Sequence, residues 1–195
     1  MRIIRKLSLG TIFFVGALTG IIIINLGKSV FLENTGILDE YTLYHMKYMT
    51  VDGGALFYYV LWLRLKNVAM LVVLATTYLG LVVCIGTSFW YGFSIGGYLS
   101  VLLMRYGLKG LVFALLGIFP QGLLYVPAMA ALIAWCMKLN RSIYYQKGMG
   151  LEGDRGLSVS KRVLQLVAIL VIMLLGCLAE SFINPGIMAW LLNFF

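Results

Sequence analysis

Charge is scarce in this chain. Only 11% of its 195 residues are Asp, Glu, Lys or Arg, whereas 62% are hydrophobic. A soluble domain with so little charge would precipitate, and several apolar runs approach or exceed the roughly 20 residues that a helix needs to cross a bilayer. The period-two alternation of a membrane β-barrel is also lacking, which leaves helices as the structure that satisfies every backbone group in lipid. The sequence therefore predicts an all-α, polytopic transmembrane helical bundle.

Residues that carry common enzyme chemistry are also few. His45 is the only histidine, so neither a histidine-based metal site nor a Ser-His-Asp arrangement can be assembled. No phosphate-binding or dinucleotide-binding glycine motif occurs. Cys84, Cys136 and Cys177 lie inside apolar runs, where a small core residue is favoured over a disulfide or a metal ligand. We therefore expect no enzyme activity, no metal and no cofactor.

Five apolar runs are predicted to span the membrane, within one integral membrane domain that covers residues 1–195. The first run, residues 7–27, follows a basic N-terminus, is longer than the apolar region of a cleaved signal peptide and lacks its cleavage site. We interpret it as a retained span. Residues 67–137 form the central helices, with spans at residues 67–86, 88–104 and 110–137, and the last span covers residues 163–185.

Basic residues decide the predicted orientation. The net charge of +8 comes from residues beside the apolar runs that do not interleave with stacking aromatics, so we predict no nucleic-acid partner. Residues 138–162 hold six basic and two acidic side chains. The positive-inside rule places this loop and the N-terminus in the cytoplasm, which requires an odd number of spans and leaves Arg105 and Lys109 outside. If residues 110–137 dipped in and returned, one basic segment would face outward.

The segment between the first two predicted spans, residues 28–66, has no net charge and is rich in Tyr, Met and Trp. We predict amphipathic helices at the outer membrane surface, separated by a turn at Asp52-Gly53-Gly54. Aromatic residues favour protein interfaces, although they also anchor chains to lipid headgroups. The candidate partner surface consists of Tyr41, Tyr44, Tyr48, Tyr58, Tyr59 and Trp62.

Residues 110–137 contain the motif "FPQGLLYVPAMA", which interrupts an otherwise apolar run. Pro120 should end a first half-helix near Ile118, and Gln121 and Gly122 then supply a polar side chain and a permissive backbone. Irregular backbone at membrane depth needs a protein or water environment, so this stretch should face the bundle interior. A simple proline kink is the alternative, especially for Pro127.

Glu180 is the only acidic residue inside the predicted spans. An intramembrane carboxyl is costly, so its default interpretation is a functional or partnered residue. Asn184 follows it by one turn on the same face. We expect Glu180 and Asn184 to join the polar node around Pro120, Gln121, Gly122 and Pro127, with Glu180 reaching Gln121; a hydrated Glu180 near the outer surface is the alternative.

Two pairs of glycines have the spacing of close helix contacts. Gly16 and Gly20 lie in the first span, and Gly92 and Gly96 lie in the third. Small residues four apart let transmembrane helices approach closely. We expect these four positions to mediate helix packing, with a partner helix or a homo-oligomer as open possibilities.

Several motifs together resemble the stage II sporulation protein M family. They are "LKN", "WYGFSIGGYLSVLLMRYGLKG", "FPQGLLYVPAMA" and "AESFINPGI", in order, over residues 61–185. The resemblance implies a non-catalytic membrane protein of endospore-forming bacteria that acts during engulfment of the forespore. It further implies a scaffold in the mother-cell septal membrane that recruits the peptidoglycan-degrading stage II sporulation proteins P and D.

A transporter or permease-like component is the alternative function. A discontinuous helix near a buried carboxylate is a common arrangement for a midplane binding site, here near Gln121 and Glu180. No clear inverted repeat accompanies it in the sequence.

Overall fold

The computed structural model describes residues 9–28, 52–144 and 159–191. Every regular element within these ranges is helical, because a helix satisfies the backbone groups of a long apolar run within the run itself. A π-helical turn, Ala179–Ile183, joins the last two helices. The α-helices are α1 (Leu9–Leu26), α2 (Gly53–Ala75), α3 (Gly80–Ile118), α4 (Gln121–Tyr144), α5 (Val159–Leu178) and α6 (Asn184–Leu191).

Five of the described helical segments are long and apolar enough to cross a membrane. The first four are α1, α2, α3 and α4, and α5 continues through the π turn into α6 as the fifth, Ser160–Leu191. The predicted all-α polytopic bundle of about five spans is therefore confirmed. The predictions for Tyr41, Tyr44 and Tyr48 lie outside the described residues, as does most of the basic loop.

Contacts between helices give their relative directions. The Ser88 hydroxyl donates to the Leu9 carbonyl (3.2 Å), and the Asn25 amide donates to the Ser100 hydroxyl (3.0 Å). Residue numbers rise together along both helices, so α1 and the first part of α3 run parallel. The short turn at residues 76–79 makes α2 antiparallel to α3. The directions of α1, α2 and the first part of α3 therefore alternate, as expected for three successive membrane crossings.

Gly107 reverses the chain inside α3. Its φ of 58° and ψ of −139° lie in the left-handed half of conformational space, which glycine adopts without a steric penalty. A straight helix would hold Leu102 and Gly110 about 12 Å apart, yet a Cβ added to Gly110 would overlap the Leu102 carbonyl oxygen. Residues 108–118 therefore fold back along the first arm of α3. The basic connection expected between two spans lies at this reversal.

The predicted break at Pro120 is present. Helix α3 ends at Ile118, Phe119 is extended, and α4 begins at Gln121. Pro120 has no N–H to continue the helix, and it disfavours the helical conformation of Phe119. Pro127, in contrast, lies within α4 without ending it. Of the two prolines in the motif, only Pro120 interrupts the helix.

The second predicted span differs from the structure. Hydropathy predicts one helix over residues 67–86, but α2 begins at Gly53, ends at Ala75 and is followed by a turn. Residues 53–66 are consequently the first half of a membrane-length helix, not a separate interfacial helix. The Asp52 carboxylate caps that helix by accepting a hydrogen bond from the Gly54 N–H (2.9 Å).

Asn140 explains why the chain turns where hydropathy predicts a continuous helix. Its side-chain amide is fully buried and donates to the carbonyls of Ala75 (2.8 Å) and Thr77 (2.7 Å). The Thr77 hydroxyl also donates back to the Leu74 carbonyl. Carbonyl groups at a helix end need such donors in an apolar environment. A distant residue of α4 thus holds the turn between α2 and α3.

We expect Asn140→Leu to destabilise the protein. It keeps the side-chain size but leaves the Ala75 carbonyl without its donor, at a cost of about 1–3 kcal/mol for each buried group left unsatisfied. The measurement is thermal unfolding of the purified protein in mild detergent. Tyr144→Phe is the matched control, because it removes one hydrogen bond to Thr76 at an exposed position and should lower the Tm less. Equal melting of Asn140→Leu and wild type would contradict this role.

Candidate functional site

A partly buried ion pair joins α2 to the π turn. The Arg64 Nη2 atom is 3.3 Å from the Glu180 Oε2 atom, and the two side chains are 30% and 22% exposed. Arg64 is the central residue of the 23-residue helix α2, so the pair lies far from both ends of that span. An unpaired charge at such a position costs about 2.5–3.5 kcal/mol on insertion scales. Each residue is therefore the reason that the other is tolerated.

Tyr125 of α4 completes the surroundings of Arg64. The Arg64 guanidinium carbon lies 4.4 Å from the centre of the Tyr125 ring, a cation–π distance. The Tyr125 hydroxyl donates to the Cys177 sulfur (3.3 Å). Arg64, Tyr125 and Glu180 bring α2, α4 and the π turn together at one depth. We call Arg64, Tyr125 and Glu180 the interhelical clamp.

The π turn, Ala179–Ile183, carries Glu180. Its defining wide hydrogen bond is donated by the Asn184 N–H to the Ala179 carbonyl, five residues back. Such turns are rare and occur frequently at functional sites. Glu180 therefore lies within this turn, and Asn184 donates the hydrogen bond that closes it.

Several buried polar atoms of the helices have no hydrogen-bond partner among the described residues. Ser181 is 1% exposed and its hydroxyl is unpaired, as is the carbonyl oxygen of the Asn184 side chain. The Arg64 Nε and the Gln121 Oε1 are also buried and unpaired. Buried polar groups usually have a partner, which is often ordered water. Arg64, Ser181 and Asn184 therefore retain hydrogen-bonding capacity beyond their contacts with the described residues.

Gln121 takes a different partner from the one expected. Its side-chain amide donates to the Gly117 carbonyl (3.1 Å), which satisfies the end of α3 just before the break. Glu180 bonds to Arg64 instead, so the expectation that Glu180 reaches Gln121 is wrong. A cationic partner neutralises the carboxylate, which an amide cannot do. The polar residues of the break and the ion pair thus serve separate structural purposes.

The four packing glycines face each other. A Cβ on Gly16 would overlap the Phe89 carbonyl oxygen, and a Cβ on Gly20 would overlap that of Phe93. In return, added Cβ atoms on Gly92 and Gly96 would overlap the carbonyl oxygens of Phe13 and Ala17. The close contact lies within the chain, between α1 and α3, and these surfaces are covered by one another.

Three residues of the candidate partner surface are described, and all three are exposed. Tyr58, Tyr59 and Trp62 of α2 have 73%, 67% and 72% of their surface accessible. They lie in the half of α2 that precedes Arg64. Large aromatic side chains are therefore presented outward on the same helix that carries the clamp inward.

The described residues offer little for catalysis or metal binding. Within residues 9–28, 52–144 and 159–191 no three His, Cys, Asp or Glu side chains group together. Cys84 and Cys136 are fully buried among apolar side chains between α2, α3, α4 and α5. A cavity beside Arg64 has a volume of about 140 Å³ and mainly aliphatic walls from α2 and α5. Typical small-molecule pockets measure about 300–1,000 Å³.

The family model of stage II sporulation protein M matches residues 9–185 of the chain. The chain belongs to this family. Its family, and the five membrane-length helical segments among its described residues, make it a multi-pass membrane protein of sporulation. No curated protein and no solved structure matches the chain.

Arg64 is the residue of the candidate site that the sequence did not predict. The sequence pattern places it in an interfacial segment, because Tyr58, Tyr59 and Trp62 precede it and Lys66 follows it. The signal that could have identified it is the cost of Glu180: a lone acid in the spans requires a cation, and Arg is the side chain best suited to a buried carboxylate. Tyr125 carried no comparable signal, because an isolated tyrosine is common in membrane helices.

Proposed function

We propose that the protein is a non-catalytic scaffold of the engulfment machinery, which recruits stage II sporulation proteins P and D to the mother-cell septal membrane. The observation that carries the proposal is the family match over residues 9–185. The architecture supports it, because the Arg64–Glu180 pair and the four packing glycines make internal contacts, whereas the aromatic side chains of α2 are presented outward.

The internal contacts give the scaffold a defined shape. The Arg64–Glu180 pair fastens α2 to the π turn, and the glycine contact fastens α1 to α3. A rigid bundle presents its outer side chains in fixed positions, which lowers the ordering cost of binding a partner. Tyr and Trp are favoured at such surfaces because they bury large areas with few rotatable bonds. Tyr58, Tyr59 and Trp62 are therefore the proposed docking residues.

The experiment is affinity purification of the tagged protein from sporulating cells, with quantitative mass spectrometry. We expect the triple variant Tyr58→Leu/Tyr59→Leu/Trp62→Leu to recover roughly ten-fold less of proteins P and D, since each 1.4 kcal/mol of lost binding energy corresponds to about ten-fold. The amount of variant in the membrane should not change, because leucine is well tolerated in spans.

A second triple variant provides the control. Phe14, Tyr78 and Trp90 are also exposed aromatic residues, at 68%, 70% and 65%, but they belong to α1, the 76–79 turn and α3. Their replacement by leucine should leave recovery unchanged. Absence of both hydrolases from the wild-type purification would contradict the scaffold function, and equal losses in both triple variants would show that lipid anchoring alone explains the aromatic residues.

The transporter alternative receives less support from the site. Glu180 is already neutralised by Arg64, and the adjacent cavity is small and mainly aliphatic. A midplane transport site needs polar groups that converge on a solute-sized space. The ion pair fits a structural role better.

A further inference from the structure

The outward side of α2 forms a continuous exposed face along most of the helix. We define this α2 outer face as Tyr59, Trp62, Lys66, Met70 and Val73. The spacings are three, four, four and three residues, so the five side chains lie in one row along the helix. All five are exposed, whereas Val68, Leu71 and Ala75 on the opposite side are buried in the core. No described residue covers this row.

Lys66 is the unexpected member of the row. It lies two residues beyond Arg64, the midpoint of α2, and makes no ion pair or hydrogen bond with any described residue. Charged side chains inside membranes almost always pair with another group or face water. Lipid alone is therefore a poor environment for this surface.

Bending the lysine side chain toward the membrane surface does not resolve the problem. Gly53 is thirteen residues away, or about 20 Å along the axis, and Ala75 at the other end is nine residues away, or about 14 Å. An extended lysine covers only about 6 Å of either distance. The ammonium group thus stays well inside the span, where it needs a counter-charge.

We propose that the α2 outer face binds a transmembrane helix of another protein, and that this helix places a carboxylate opposite Lys66. The proposal rests on the scaffold function above, and specifies the surface used and the chemistry of the partner. Spacings of three and four residues fit the left-handed helix packing that is common in membranes. Tyr59 and Trp62 would line the outer half of the contact, and Met70 and Val73 the inner half.

Charge excludes a symmetric pairing of two copies through this face. In a dimer with its axis along the membrane normal, Lys66 of one copy would meet Lys66 of the other. Only Asp52 and Glu180 are acidic among the described residues. Glu180 pairs with Arg64 on the opposite side of α2, and Asp52 caps the start of that helix. Neither acid of the described residues is therefore available to Lys66, and we assign the counter-charge to a different protein.

Synthetic helices of defined sequence test the proposal by standing in for the partner helix. The full-length protein, with the photoreactive residue p-benzoylphenylalanine in place of Met70, is reconstituted in phosphatidylcholine vesicles. It is mixed with leucine–alanine peptides that have the same length as α2, 23 residues, and carry a Glu, Gln or Lys at the central position. Cross-linked product is measured after illumination. We expect the Glu peptide to cross-link about three- to ten-fold more than the Gln peptide, and the Lys peptide least.

Variants of Lys66 distinguish charge-dependent binding of the peptides from nonspecific hydrophobic association. Lys66→Arg should keep the preference for the Glu peptide, and Lys66→Glu should reverse it toward the Lys peptide. With the photoreactive residue at Leu18, which is 58% exposed on α1, the three peptides should cross-link equally. Equal yields of the Glu and Gln peptides at Met70, or a preference that survives Lys66→Glu, would overturn the proposal.

The peptide result and the hydrolase result can fail independently. If proteins P and D copurify with the wild type but the peptides show no preference, the scaffold stands and this surface is wrong. If the Glu peptide is preferred but neither hydrolase copurifies, the surface stands and the partner is a different membrane protein.

Discussion

Gly92→Ile is expected to separate α1 from α3 and to destabilise the protein more than most single substitutions would. The new side chain would occupy the space of the Phe13 carbonyl, which belongs to the backbone and cannot rotate away. Overpacking in a tight interior typically costs about 1–3 kcal/mol and sometimes more. We place this variant at the upper end, because the contact is between backbones.

A cysteine pair reports the separation directly. The Asn25 amide and the Ser100 hydroxyl lie within hydrogen-bond distance across the same interface, so a short thiol-reactive cross-linker should join the cysteines of Asn25→Cys/Ser100→Cys. Adding Gly92→Ile should abolish that cross-link. Gly86→Ile is the matched control, because a Cβ at Gly86 meets nothing within 4 Å. An unchanged cross-link in the Gly92 variant would show that α1 and α3 do not depend on this close approach.

Removing one member of the Arg64–Glu180 pair is expected to be far more damaging than removing both. Arg64→Met leaves the Glu180 carboxylate without its cation, and Glu180→Leu leaves the Arg64 guanidinium without its anion. Breaking a buried pair costs about 3–5 kcal/mol, and the partial exposure of both side chains favours the lower figure. The free energy of unfolding of the double variant should lie within about 1 kcal/mol of the wild-type value. Apolar residues of similar volume often replace a buried ion pair without loss of stability.

The four proteins of this double-mutant cycle are compared by thermal unfolding in detergent and by the amount inserted in membranes. Lys109→Met is the control for loss of one positive charge at an exposed position, and should change stability by about 0.5 kcal/mol or less. Additive losses in the double variant would contradict the clamp. A protein that keeps its fold and partner recovery in the Glu180→Leu single variant would also contradict it.

The helical class, the number of spans and the break at Pro120 could all be predicted from sequence. These features are local: a span requires a run of apolar residues, and Pro120 lacks the N–H that would continue a helix. The turn at residues 76–79 could not be predicted, because apolar residues continue on both sides of it. Its cause is Asn140, which approaches from another helix and bonds to two carbonyls of the turn.

Prediction of the site divides in the same way. The cost of a buried carboxyl identified Glu180 from sequence alone. Its partner Arg64 could not be assigned, because the two residues are 116 positions apart in the chain and their pairing depends on how distant helices pack. The reversal at Gly107 lies where the sequence predicts a basic connection between two spans, although the glycine itself carries no specific signal.

The scaffold claim is tested most directly in sporulating cells. The position of fluorescently tagged stage II sporulation protein P is recorded by microscopy in cells with and without this chain. We expect a focus at the septal membrane when the chain is present, and fluorescence spread over the mother-cell membrane when it is absent. Septal localisation that persists without the chain would contradict the account.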